Sequence, residues 1–486
     1  MATHFHGGFK TILAAITPYL CSTMSLIDLP VLNPIAVDTK PEPPTKPSSS
    51  DKRVYLETYG CQMNVSDSEI VLGVLNANGY GAAGNADDAD VILLNTCAIR
   101  DNAEKKIHER LAHLKSYKKR KPELVVGILG CMAERLRTKL LDEELVDLVA
   151  GPDEYRKVPE LVSNAIAGER GVAVKLSRVE TYDDIEPLRT EGISAWISII
   201  RGCDKFCTFC VVPFTRGRER SRSMPLIIDE LKRLWDQGFK EVTLLGQNVD
   251  SYHDEATNAD FAELLKHSAR AVPSMRIRYT TSHPQDMSDR VIETMAEYDN
   301  ICKYIHLPVQ SGSNRILEAM NRTYSVEHYL GRIAKIKELM PGCALSTDII
   351  AGFCTETDAD HQATLDVMRQ VRYDGAYMFA YSPRENTKAW KMGDDVPAEV
   401  KSQRLSEIIE LQNQISREIN TTEIGTTHEV LVEGPSKRNA QEWKGRSDTN
   451  KTVIFPHDGT RGYVVGDIVP VTIQRSNSAT LFGTLI

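Results

Sequence analysis

AWISIIRGCDKFCTFC, residues 195–210, decides how this chain is read. A run of apolar and β-branched residues marks a buried strand, Gly202 breaks it, and cysteines follow at 203, 207 and 210 in a C-x3-C-x2-C spacing. Structural zinc takes four ligands in two close pairs, and no such partner pair follows nearby. A cubane iron–sulfur cluster normally takes four thiolates. Three close thiolates therefore imply an iron left open for another ligand.

Downstream, five more runs have strand character: EVTLLGQ (241–247), RIRYTTS (276–282), YIHLPVQ (304–310), ALSTDIIAG (344–352) and GAYMFAYS (375–382). Amphipathic helices are expected between them. Residues 224–238 set Ile227, Ile228, Leu231, Leu234 and Trp235 at helical spacing, with Gly238 as a stop, and 326–340 and 358–372 behave similarly. Six β/α units fall short of the eight that close a full barrel, so an open, partial barrel is expected, with its site at the carboxyl ends of the strands.

Upstream, short apolar runs again alternate with helical stretches, the pattern of a parallel α/β sheet. Three runs end alike: VYLETYGC (54–61), VILLNTC (91–97) and LVVGILGC (124–131). Cys61, Cys97 and Cys131 each stand where a strand meets its following loop, and in parallel sheets those loops share one ligand-binding edge. Three unrelated core cysteines are the plain alternative, since a reduced Cys is a small hydrophobe. Convergence on a soft metal or an iron–sulfur centre is the sharper one.

The whole chain fits this three-part plan. With 486 residues, 41% hydrophobic and 26% charged, it is long enough for about three domains and has the make-up of a folded globular protein. Its formal charge of −9 argues against wholesale DNA coating, although local basic patches can still hold a phosphate backbone. Residues 1–51 read as a disordered extension closing in the Pro- and Ser-rich linker PEPPTKPSSS, with Met1 or Met24 as start; the uncharged stretch 11–27 is too short and interrupted to span a bilayer. The expected boundaries are 52–170 for the α/β domain, 190–421 for the partial barrel and 422–486 for a last domain. That last region follows a long polar helix at about 397–420 and consists of short β runs, HEVLVEG, KTVIFP, GYVVGDIVPVTI and SATLFGTLI, which suggest a small β-barrel.

YGCQMN (59–64), LLNTCAIRDNAEKK (93–106), RGCDKFCTFCVVPFTRGRERSR (201–222), HLPVQSGSNRIL (306–317) and LVEGPSKRN (431–439) together resemble the methylthiotransferase family of the radical S-adenosylmethionine superfamily. Gln62, Met63 and Asn64 point within it to the branch acting on dimethylallyladenosine in tRNA. The resemblance covers about residues 52–486 and identifies the last domain as similar to the TRAM RNA-binding module. One departure is visible: Cys354-Thr355-Glu356-Thr357 stands where the family commonly has Pro-Gly-Glu-Thr.

The resemblance implies two [4Fe-4S] clusters. Cys203, Cys207 and Cys210 would hold the one whose open iron chelates S-adenosylmethionine and which releases a 5′-deoxyadenosyl radical to take hydrogen from C2 of the adenine. Cys61, Cys97 and Cys131 would hold the second, which presents a methylated sulfur. Gly246, Gln247, Asn248 and Asp348 are candidates for holding the S-adenosylmethionine. The partners implied are tRNA and an electron donor such as flavodoxin or ferredoxin, for a cytoplasmic monomer with no membrane contact. Two rival functions stand beside this one: the same chemistry on threonylcarbamoyladenosine or a ribosomal-protein aspartate, and a non-catalytic iron–sulfur or zinc RNA-binding protein.

Three basic patches favour a large folded RNA as partner. Between Lys105 and Lys121 eight Lys or Arg oppose only Glu109. Arg216, Arg218, Arg220 and Arg222 follow the second cysteine set. Lys437, Arg438, Lys444, Arg446 and Lys451 face only Glu442 and Asp448, with Trp443 available to stack on a base.

Overall fold

The three cysteine-terminated runs fold as neighbouring strands. In the computed structural model, residues 52–98, 101–189, 192–439, 441–457, 459 and 462–486 are described. The expected extension at 1–51, with Met1, Met24 and Cys21, lies outside them. The first domain comprises β1 (Arg53–Tyr59), α1 (Gln62–Ala77), β2 (Gly81–Ala82), β3 (Val91–Thr96), α2 (Asp101–Arg120), β4 (Val125–Gly130), α3 (Cys131–Leu136), β5 (Leu148–Ala150), α4 (Val158–Ile166) and β6 (Gly171–Ala173). Its sheet runs β2-β1-β3-β4-β5-β6, parallel throughout. Every residue of β3 and β4 is buried, as expected for strands covered on both faces. Ile70, Val71 and Val74 of α1 pack on one face with Leu161 of α4; Ile107, Leu111 and Leu114 of α2 pack on the other.

The second domain contains β7 (Ser194–Ser198), β8 (Ile200–Arg201), α5 (Val212–Thr215), β9 (Arg220–Ser221), α6 (Met224–Asp236), β10 (Glu241–Leu245), β11 (His253–Asp254), β12 (Ala259–Asp260), α7 (Phe261–Ala271), β13 (Arg276–Thr280) and α8 (Asp289–Glu297). It continues through β14 (Tyr304–His306), α9 (Asn314–Ala319), α10 (Val326–Leu339), β15 (Ala344–Ala351), α11 (Asp358–Val371), β16 (Gly375–Ala380), α12 (Lys388–Met392) and α13 (Ala398–Thr422). β7, β10 and β13 form one parallel set and β14, β15 and β16 another, joined by a parallel bridge from Ile277 to Ile301. These six strands are the six expected from the sequence, and they make an open partial barrel. The stripe on α6 behaves as its spacing demands: Ile227, Leu231 and Leu234 are buried, and Gly238 closes the turn at φ +95°.

The last domain is a closed five-stranded barrel of β17 (Thr427–Pro435), β18 (Glu442–Ser447), β19 (Thr452–Pro456), β20 (Ile468–Ser476) and β21 (Thr480–Leu485), around Val430, Val432, Val453, Phe455 and Ile473. Two arginines of β13 dock it on the partial barrel. Arg276 donates to the carbonyls of Arg446 and Glu429, both at 2.8 Å, and Arg278 to those of Asp448 at 2.7 Å and Ser447 at 2.6 Å. Among the described residues no helix is long and apolar enough to cross a membrane.

The departure at 354–357 keeps a tight turn. Thr357 caps α11 in a reciprocal box with Asp360, and Glu356 accepts the Gly352 N–H at 2.8 Å. Thr355 is thereby held at φ +67°. A β-branched residue is strained there. Replacing it, Thr355→Gly, is expected to raise stability by roughly 1 kcal/mol, read as an upward shift of the thermal unfolding midpoint.

Candidate active site

Cys61, Cys97 and Cys131 end β1, β3 and β4, which are adjacent in the sheet, so three thiol-bearing loops share one edge about 10 Å wide. Asn64 ties the loops together. Its Oδ1 accepts the Cys61 N–H at 3.2 Å, and its Nδ2 donates to Thr96 O at 3.2 Å and Asn95 Oδ1 at 3.3 Å. Asn95 donates back to Asn64 O at 2.8 Å. The loop before Cys131 needs Gly130: its φ is +90°, and a Cβ would lie 2.3 Å from Asn95 Oδ1. Burial raises the Cys131 thiol above its usual range.

The barrel set leaves β8 on a single loop. Gly202, at φ +82°, passes so close to Arg218 O that a Cβ would sit 2.0 Å away. Asn321 donates to Lys205 O and Phe206 O, both at 3.2 Å, supporting Phe206 at φ +49°. Burial pushes Cys203 up to about 12 and raises Cys210 as well, so iron must displace protons from these thiols as it binds. The described cysteines form no disulfides, and among the described residues no three His, Cys, Asp or Glu side chains are gathered tightly enough for a single metal ion. The donor set, three half-buried thiols on one loop, fits a cluster with one open iron.

One carboxylate joins the two sets. Asp67 of α1 is completely buried; Arg201 Nη1 lies 2.9 Å from Oδ1 and Arg216 Nη2 2.7 Å from Oδ2. Tyr155 donates its hydroxyl at 3.2 Å. Burial works against the charge of Asp67, yet the two guanidiniums hold its carboxyl below the usual range. Arg201 precedes Cys203 and Arg216 follows Cys210, so both ends of the barrel loop fasten to the helix that starts at Cys61. Arg216 also reaches toward the Cys131 thiol, and α5, just before it, packs on α3.

At the carboxyl ends of β10 and β13, Gln247 Oε1, Asn248 Oδ1, Thr281 Oγ1 and His283 Nε2 are buried with no protein partner. Buried polar atoms without partners call for a ligand or water, which fits S-adenosylmethionine beside the open iron. Asn248 Nδ2 donates to Asp286 at 2.6 Å, and Asp286 in turn pairs with Lys205 of the cysteine loop at 2.6 Å. Gly246 has a packing role, since a Cβ would meet Ile200 at 2.4 Å. Asp348, half-buried on β15, lies 3.5 Å from His306.

The basic patches are smaller than their sequences suggest. Arg216, Arg220 and Arg222 are buried on Asp67, Asp153 and the Asp183–Glu230 pair, and exposed Arg218 pairs with Asp204. The run at 216–222 is internal wiring rather than an RNA surface. On α2 and just after it, Arg110, Lys118, Arg120 and Lys121 pair with Glu57, Asp147, Asp87 and Asp90, whereas Lys105, Lys106, Lys115 and Lys119 are exposed. In the last domain Lys444 and Arg446 share Glu433 and Lys451 pairs with Asp374, leaving Lys437 and Arg438 exposed. Trp443 is half-buried, one face against His457 at 4.0 Å between ring centroids.

Sequence reasoning missed Asn64, Asp67, Asn95, His283 and Asp286 as site residues. A signal existed for the first two: Asn64 and Asp67 share the helical face that carries Val71 and Val74, where polar residues stand out.

Known proteins divide the chain the same way. Residues 53–151 match a family described as "Uncharacterized protein family UPF0004", 197–368 the radical SAM superfamily and 421–486 the TRAM domain. A radical S-adenosylmethionine methyltransferase, TsrM from Kitasatospora setae, has a similar fold, with a TM-score of 0.52 at 14% identity over 67% of this chain and 72% of that one. This is a radical SAM protein, whose cofactors are [4Fe-4S] clusters and S-adenosylmethionine. The tRNA-2-methylthio-N(6)-dimethylallyladenosine synthase of Chloroherpeton thalassium is 56% identical over 436 residues, 89% of this chain and 96% of that protein. That of Phocaeicola vulgatus is 52% identical over 441 residues, 90% and 96% of the two chains. The chain belongs to the tRNA-2-methylthio-N(6)-dimethylallyladenosine synthase family.

Removing the shared carboxylate strands two buried guanidiniums. The variant Asp67→Ala is expected to lose roughly 3–5 kcal/mol, measured by denaturant unfolding, whereas Asp204→Ala, which frees an exposed arginine, should lose roughly 1 kcal/mol or less.

Proposed function

We propose that this chain adds a methylthio group at C2 of N6-(dimethylallyl)adenosine at position 37 of tRNA. Cys203, Cys207 and Cys210 hold the cluster that engages S-adenosylmethionine, and Cys61, Cys97 and Cys131 hold the second. The observation that carries the reading is the pairing of two cysteine sets, one at the carboxyl ends of β1, β3 and β4 and one on the loop after β8, across one buried carboxylate. The bound cluster and S-adenosylmethionine supply the one-electron chemistry that opens an aryl C–H bond, which no ordinary side chain can do.

The protein's own residues bind, orient and shield. Gln247, Asn248, His283 and Asp348 line the cofactor space; the burial of His283, with Arg322 and Lys205 nearby, pushes its pKa down to about 2 and keeps it neutral. Its Nδ1 accepts the Gln285 N–H at 3.3 Å, which leaves Nε2 as a donor toward that space. Lys205, Asp286 and Asn248 tie the cysteine loop to the same floor. A flavodoxin- or ferredoxin-like donor supplies the electron to a monomer. Exposed Lys437 and Arg438 on the last domain, and Lys105, Lys106, Lys115 and Lys119 on α2, hold the tRNA backbone.

Two sets of variants test the division of labour. Cys203→Ala, Cys207→Ala or Cys210→Ala should abolish 5′-deoxyadenosine formation and lower iron from about eight to about four per chain. Cys61→Ala, Cys97→Ala or Cys131→Ala should lose the same iron and all methylthio product while 5′-deoxyadenosine still forms. Normal cofactor cleavage by the first set, or full product from the second, contradicts the assignment.

The RNA surface has its own signature. The double variant Lys437→Ala/Arg438→Ala should weaken tRNA binding and lower the slope of log affinity against log salt by about 0.7–0.9 for each phosphate that the pair neutralises. Titrations at several salt concentrations check this; an unchanged slope removes the pair from the interface.

A further inference from the structure

Arg322 lies in the turn after α9 and meets the barrel cysteine loop from beneath. Its Nη1 donates to Cys207 Sγ at 3.3 Å, its Nη2 to Pro308 O at 3.1 Å and its Nε to the Tyr324 hydroxyl at 3.1 Å. The guanidinium also lies 5.1 Å from the centre of the Tyr324 ring. Tyr324 is fixed by donating to Pro308 O at 3.1 Å and Val309 O at 2.9 Å. Its neighbour Asn321 holds the carbonyls of Lys205 and Phe206 in the same loop.

What separates Arg322 from the other arginines around the site is its charge balance. Arg201, Arg216, Arg220 and Arg222 all sit on carboxylates, and Lys205 sits on Asp286. Among the described residues, no carboxylate forms an ion pair with Arg322; its partners are a carbonyl, a hydroxyl, an aromatic face and a cysteine sulfur. An arginine stays charged in any such setting. Half-buried, and so partly shielded from water, it keeps a field that is screened less than in bulk solvent.

We propose that Arg322 is a positioning residue for the barrel cluster: it donates N–H to the Cys207 sulfur when that sulfur ligates iron, and its unneutralised charge favours the reduced cluster. Net charge and hydrogen bonds to sulfur are the levers by which a protein sets the potential of an iron–sulfur centre. Reduction adds one electron, from a low-potential one-electron donor, to a cluster already negative, and a cation on a ligand sulfur offsets the added charge. The inference rests on Cys203, Cys207 and Cys210 being the cluster ligands.

The test uses full-length protein carrying Cys61→Ala, Cys97→Ala and Cys131→Ala, so that one cluster remains. Iron and sulfide content report on the ligand assignment; if adding Cys203→Ala leaves the iron in place, that assignment fails before Arg322 is in question. With the cluster loaded, an EPR-monitored redox titration of Arg322→Gln should show the reduced-to-oxidised ratio, at the parent's midpoint potential, falling roughly tenfold or more. Arg322→Lys, which keeps the charge, should recover most of it. An unchanged ratio in a fully loaded Arg322→Gln overturns the proposal. If that variant fails to load iron, the parent labelled with 15N-arginine decides: pulsed EPR of the reduced cluster should show a weakly coupled 15N, and its absence overturns the proposal.

Discussion

The carboxylate of Asp67, closed in protein and gripped by Arg201 and Arg216, is the constraint on which the rest depends. Three charges in a dry interior are tolerated only when each is paired and hydrogen-bonded. Tyr155 and the Pro152 carbonyl, which accepts from Arg201 at 3.0 Å, add two further partners, while Arg201 Nε and Arg216 Nη1 stay buried without a hydrogen-bond partner among the described residues. Because the two arginines bracket the barrel cysteines and the carboxylate belongs to the helix beginning at Cys61, the two thiol sets cannot shift independently. The first domain and the partial barrel act as one frame around the reacting space.

That frame explains a sequence feature that reads differently in isolation. TRGRERSR (215–222) has the look of an RNA-binding run, but Arg216 at the end of α5 and Arg220 and Arg222 on and just after β9 are buried. Each meets a carboxylate from a distant segment: Asp67, Asp153 and Asp183. Charge density along a chain says how much charge is present and not which way it points. Of the three basic patches, the exposed cations that form no ion pair among the described residues are Lys105, Lys106, Lys115 and Lys119 on α2 and Lys437 and Arg438 on the turn after β17.

Much of the architecture was legible in the sequence because it follows from local pattern. The six barrel strands, the amphipathic α6 and the cysteines at the ends of β1, β3 and β4 are set by hydrophobic period and by position relative to strand ends. The parallel-sheet pattern led to the expectation that the three cysteines share one edge, and the sheet order adds that their strands lie side by side. The wiring between domains was not legible. Asp67 and Arg216 are separated by 149 residues and Arg322 and Cys207 by 115, and nothing in a single sequence pairs them. Gly246 shows the opposite limit: a glycine expected from its place at a strand end to hold a cofactor has a packing constraint of its own, because Ile200 leaves no room for a side chain.

This frame serves to place a methylthio group on a prenylated adenosine of tRNA. The most direct measurement is mass spectrometry of tRNA nucleosides from a bacterial strain that lacks its own enzyme for this step and expresses this chain. N6-(dimethylallyl)adenosine should be converted to its 2-methylthio derivative; accumulation of the unmodified prenyl nucleoside, with the chain expressed and both clusters loaded, would rule that function out.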